Sequence, residues 1–246
     1  MTIGAGSDAL ASDFDFLFGS ILPYAGRTAP SASWKICDGS AISRSTYATL
    51  FTTISPSVGT FTVTIASPGV FTLNSHGLVA GDAVYLTTTG ALPTGLTANT
   101  IYYVISAGLT ANAFELSTSR GGAAINTSGS QSGTHTLYFC PYGLGDGSTT
   151  FNIPDLRQRV PVGYKSADTY NGYLGQAGGE QTHVLTIAEM PAHTHDLHLG
   201  TGATGGDLLG DYNTATNDSA TDSAGSGDPH NNLQPYVTVN YIIRVL

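Results

Sequence analysis

The sequence predicts a mainly β protein with short helices, and three observations carry that prediction. Thr, Ser and Asn are frequent and 31 glycines are spread among them, a mixture that suits short pleated strands separated by tight turns. Several stretches alternate apolar and polar residues, most plainly Phe61-Thr62-Val63-Thr64-Ile65 and Val70-Phe71-Thr72-Leu73, the period of a half-buried strand. Turn dipeptides fall between these stretches, among them Asp38-Gly39, Pro68-Gly69, His76-Gly77 and Gly121-Gly122.

Taken in order, residues 1–17 read as an N-terminal arm leading into the aromatic cluster Phe14, Phe16 and Phe18. Ser20–Tyr24 and Trp34–Cys37 are predicted strands. Ser43 or Ser45 is placed to cap a short helix with Tyr47, Leu50, Phe51 and Ile54 on one face, close to i, i+3, i+4 and i+7. The texture changes over residues 55–139, where further strands are predicted at Ala83–Leu86, Ile101–Ile105, Phe114–Leu116 and Thr136–Phe139. This stretch reads as a small all-β module inserted into another domain, as insertions succeed at exposed loop tips. Leu185–Met190 is a predicted helical turn, with Thr186 as cap and Glu189 three residues on in the capping-box spacing. Tyr236–Ile243 reads as a closing strand. Gly200 to Asp228 is almost wholly small and polar, too poor in apolar surface to fold alone.

Composition excludes several function classes. The net charge is −9 and only 8 residues are basic, which argues against a nucleic-acid partner, since phosphate binding needs clustered Lys and Arg. No apolar run is long enough to span a bilayer, and the start lacks the basic-then-apolar order of a signal peptide. The protein is therefore expected to be made in a cytoplasm and not to insert in a membrane. Cys37 and Cys140 are expected to be reduced and buried.

No catalytic constellation emerges, and the protein is not expected to be an enzyme. The loop Tyr142-Gly143-Leu144-Gly145-Asp146-Gly147 lacks the Lys-Ser or Lys-Thr ending of a phosphate cradle. Asp207, Asp211, Asp218, Asp222 and Asp228 supply carboxylates, but in a polar stretch without the rigid pair that glycoside hydrolysis requires. Asp155 sits after Pro154 and reads as structural. In Pro191-Ala192-His193-Thr194-His195, His193 and His195 would share one face of an extended strand. Spacing alone leaves two readings open for them, surface imidazoles or metal ligands. A threefold axis would gather six imidazoles into a closed octahedral site that clamps chains together.

Six segments resemble the phage tail collar domain family. They are Phe18–Tyr24, Trp34–Gly39, Phe151–Arg157, Gly178–Thr186, Glu189–His195 and Asn231–Ile243, and they occur in the family's order. The resemblance implies a collar domain over residues 18–54 and 140–190, split by the module at 55–139. It also implies a C-terminal tip and closing strand over 191–246, in a parallel homotrimer with an intertwined tip. His193 and His195 match the His-x-His pair that holds one structural metal ion per trimer, iron or zinc, on the threefold axis in short tail fibres. The expected setting is the virion tail. The expected partners are other copies of the chain, tail or baseplate proteins, and a host-surface glycan such as lipopolysaccharide. The receptor-facing candidates are Asp207, Asp211, Tyr212, Asn213, Asn217 and Asp218. The alternative is a purely structural tail or baseplate subunit without its own receptor. The module at 55–139 is a departure from the simplest members of the family.

Overall fold

The computed structural model describes residues 17–166, 168–192 and 227–246. In chain order these form β1 (Ile21–Tyr24), β2 (Trp34–Ile36), β3 (Ala41–Ser43), the helix α1 (Ala48–Ile54), β4 (Ser57–Val63) and β5 (Phe71–Thr72). There follow β6 (Ala83–Thr88), β7 (Ile101–Val104), β8 (Ala113–Phe114), β9 (Leu116–Ser117), β10 (His135–Phe139) and β11 (Thr150–Asn152). The last elements are β12 (Thr182–His183), a 3-10 turn at Ile187–Glu189, β13 (His230–Asn231) and β14 (Asn240–Arg244). The chain divides into two compact units, Met1–Gly178 with Thr238–Leu246, and Gly179–Val237. The described residues are mainly β, as the sequence predicts.

In the first unit, seven antiparallel strands pair in the order β8-β5-β4-β10-β6-β7-β9. The two ends of that order, β8 and β9, are separated only by Glu115. The sheet must therefore roll until its edges meet, much as a small barrel does. Phe114 and Leu116, two residues apart and both fully buried, point inward from either side of the seam. The rolled sheet encloses Phe61, Val63, Phe71, Val84, Leu86, Val104 and Leu137 together with them. Phe71 stacks on Phe114 with ring centroids 5.2 Å apart and meets Phe61 at 5.4 Å. Burying one such side chain stabilises by about 1.5–3 kcal/mol, so this cluster is a core in its own right.

Alternation alone would expose half of β6. Instead Ala83, Val84, Tyr85 and Leu86 are all buried. Val84 and Leu86 face the interior of the roll, while Ala83 and Tyr85 form an outer cluster with Cys140 and Leu144, against which Phe51 of α1 packs. Arg44 reinforces this contact: its Nε donates to Thr150 O at 2.8 Å and its Nη2 to Leu144 O at 3.1 Å, with the guanidinium over Phe51.

The remaining strands of this unit join distant parts of the chain. β14 lies between β1 and β2, with Leu22 opposite Ile242 and Ile36 opposite the same residue on the other side. β3 pairs with β11, setting Ile42 opposite Phe151, and an isolated bridge joins Asp38 to Asp155. Below them Cys37, Ile42, Leu50, Phe151, Ile153, Ile243 and Val245 share one core.

Three expectations are corrected. Neither Ser43 nor Ser45 caps α1; Tyr47 occupies the N-cap without a side-chain bond, and Ser43 Oγ instead accepts the Thr46 N–H at 3.2 Å in the preceding turn. The predicted strand Phe114–Leu116 breaks at Glu115, because its halves pair with β5 and β7 across the seam. The closing strand begins at Asn240, not Tyr236, because its partner β1 ends at Tyr24, the residue opposite Asn240. Phe18 is exposed, while Phe14 and Phe16 lie outside the described residues.

Candidate functional site

The candidate metal ligands His193 and His195 lie outside the described residues, as do Asp207, Asp211, Tyr212, Asn213, Asn217 and Asp218. Described residues flank 193–226 on both sides, and the strand pair among them, the neck, belongs wholly to the second unit. There β12 pairs with β13, setting Thr182 opposite Asn231 and His183 opposite His230. The Asn232 N–H extends the neck by donating to Gln181 O at 3.0 Å.

Local sequence builds the turn beside this neck. Thr186 precedes the 3-10 turn, and both its N–H and its hydroxyl donate to Glu189 Oε2, at 2.7 and 2.8 Å, as the capping-box spacing predicts. The other Glu189 oxygen faces His183 Nε2 at 3.0 Å, while His183 Nδ1 faces Glu180. The ring of His230 meets His183 edge-on, with centroids 5.9 Å apart. The contact to Glu189, then that to Glu180, raises the His183 pKa above its ordinary value. Bonds from the Thr186 N–H, then from His183 and the Thr186 hydroxyl, hold the Glu189 carboxyl down at about 2. Sequence reading assigned His183 and His230 no partners. The signal was present in Glu180-x-x-His183 and Thr186-x-x-Glu189, yet neither spacing shows that the two meet at one imidazole.

Among the described residues no group of three or more His, Cys, Asp or Glu side chains is placed to hold a metal. Cys37 and Cys140 are free and buried in separate clusters. Burial pushes both thiols up to about 12, so neither supplies a thiolate nucleophile. Asp155 serves structure: Arg157 forks onto its two oxygens at 2.9 and 2.7 Å. The glycine-rich loop is likewise a turn, since Asp146 accepts the N–H groups of Ser148, Thr149 and Thr150.

Two surface features stand out on the first unit. After Arg159 the chain presents Val160, Val162 and Tyr164, exposed by 71%, 67% and 51%. They alternate with Pro161 and Gly163, and this stretch pairs with no strand of the described residues. Single exposed apolar residues are ordinary, but a contiguous unpaired run is the mark of an interaction surface. The second feature is a shallow groove of about 670 Å³ on the rolled sheet, lined by Thr60, Thr62, Thr72, Asn74, Gln131 and Thr134 among others. Those six side chains carry no formal charge and offer hydroxyls and amides.

Comparison with known families accounts for both ends of this arrangement. Residues 19–62 match the phage tail collar domain. Residues 156–245 match the C-terminal domain of the baseplate structural protein Gp10. No curated protein and no solved structure matches the chain.

Proposed function

We propose that this phage tail or baseplate structural protein works as a homotrimer that attaches the virion tail to a host-surface glycan. The observation that supports self-association is the exposed run Val160, Val162 and Tyr164, whose backbone has no strand partner within the described residues. An unpaired apolar run of this kind is satisfied by an edge from another copy, because main-chain bonds and alternate apolar side chains are then engaged together. His193 and His195 of each chain would hold one iron or zinc ion on the threefold axis, where a closed ligand set clamps chains and does no chemistry. The glycan would be met by Asp207, Asp211, Tyr212, Asn213, Asn217 and Asp218, and by the module at 55–139, whose groove offers neutral hydroxyls and amides.

Native mass measurement with metal analysis tests the assembly. Three chains carrying one metal ion are expected, and a metal-free monomer overturns both the axis and the clamp. Replacing Val160 and Val162 together by Ser should shift the mass toward monomer while the far-ultraviolet spectrum stays unchanged. Deleting residues 200–228 from the trimer should abolish adsorption to host cells.

The second reading is a purely structural subunit with no receptor of its own. The match of residues 156–245 to a baseplate structural protein favours it, because those residues include all six side chains proposed for the glycan. Antibodies against the protein discriminate between the two: they block infection by an attachment protein and leave infection intact for an internal joint.

A further inference from the structure

The neck of the second unit is held by two residue pairs, Thr182 with Asn231 and His183 with His230. So short a ladder is marginal by itself. What reinforces it is the imidazole of His183. Glu180 faces Nδ1, and Glu189 faces Nε2 at 3.0 Å. An ionised carboxylate only accepts hydrogen bonds, and a neutral imidazole has one N–H to give. Both contacts are satisfied together only when both ring nitrogens carry protons.

We propose that His183, gripped as an imidazolium between Glu180 and Glu189, is a proton-operated clasp that holds the β12–β13 neck to the turn at Thr186–Glu189. The two carboxylates reach the ring from opposite sides in the chain, three residues before it and six after it. Glu189 is shared, since its second oxygen holds the Thr186 N–H and hydroxyl. Loss of the proton therefore strikes the turn and the strand pair at once. One carboxylate is left against an imidazole lone pair, and the contact becomes repulsive. The other titratable ring at the neck is His230, which faces His183 edge-on from β13; Asp228, two residues earlier in the chain, is the next charged group on that side.

The direction with pH follows from the same contacts. Because folding raises the His183 pKa, the stabilisation is complete below the ordinary value of 6.5 and is lost as pH rises through the raised one. Glu189 sets the acid limit: its contribution is present above 4.5 and is lost as pH falls through about 2. The clasp is thus complete between 4.5 and 6.5 and loosens as pH rises through the raised His183 value.

Two measurements on the full chain test this. Proton–carbon NMR of ring-labelled histidine should place the His183 midpoint above 6.5, and Glu180→Gln should lower it. Hydrogen exchange at pH 6 and pH 9, corrected for intrinsic rates, should show the Thr186 and Asn232 amides losing protection at the higher pH. His183→Gln should abolish that pH dependence. A midpoint at or below the ordinary value, a midpoint unmoved by Glu180→Gln, or wild-type protection equal at both pH values overturns the clasp. None of these readouts depends on the oligomeric state or on any receptor.

Discussion

The guanidinium carbon of Arg120 lies 4.2 Å from the ring centroid of Tyr173, which brings the rolled sheet against the segment that follows β11. The same guanidinium covers Tyr103 at 4.6 Å and donates to Gly81 O. Gly81 has φ +95°, and a Cβ added there would lie 2.3 Å from Tyr173 Cδ1. One arginine, one glycine and two tyrosines therefore form a joint inside the first unit.

Loss of this joint should be graded. Arg120→Ala removes cation–π contacts worth about 0.5–1 kcal/mol each at exposed sites. Gly81→Ala should cost more, because strain at positive φ adds about 1–2 kcal/mol to the clash with the tyrosine ring. Urea unfolding of the two variants measures the difference, and an Arg120→Ala variant less stable than Gly81→Ala contradicts the assignment.

The seam of the roll should be the most sensitive part of the core. Phe114→Ala empties a fully buried site that is in contact with Phe71 and His76, at an expected cost of about 3–5 kcal/mol. Circular dichroism during denaturation reads the loss. Ile65→Ala, at an exposed site on the same module, should change stability by less than about 0.5 kcal/mol.

Arg44 should resist conservative replacement. Lysine keeps the charge but has no planar fork to reach Thr150 O and Leu144 O together. Arg44→Lys is expected to cost about 1–3 kcal/mol by leaving partly buried carbonyls short of a donor. A thermal midpoint unchanged by this substitution refutes the role given to the fork.

The clip between Asp155 and Arg157 gives an acid-side signature. The Arg157 side chain, its backbone N–H, and the charges of Arg157 and Arg159 together hold the Asp155 carboxyl down at about 2. Its contribution is therefore complete above the ordinary 3.8 and is lost as pH falls through about 2. Asp155→Asn should flatten the stability profile over that window and leave it unaltered at neutral pH in shape, though not in height. Melting temperatures collected from pH 2 to about pH 7 decide it.

Whatever depends on neighbours within a few residues was legible from the chain. Alternation located β4 and β5, since a strand with one buried face shows its period directly, and turn-bounded runs rich in strand-forming residues located β7 and β10. The capping box at Thr186 and Glu189 was readable for the same reason: its donors and acceptor lie within one turn. The collar resemblance was legible as a series of short segments, and the match at residues 19–62 shows it for the stretch that holds the first two, while residues 156–245 match the baseplate structural protein Gp10.

Tertiary structure decided the rest, because it depends on contacts that spacing does not encode. The break at Glu115 follows from closing the roll, the burial of both faces of β6 from packing against Phe51, and the late start of β14 from the length of β1. The two carboxylates on His183 meet only because the capping turn folds back over β12. Local periodicity thus determined which segments are strands and turns. Only the pairing of distant edges determined where those strands stop and which histidine is held between charges.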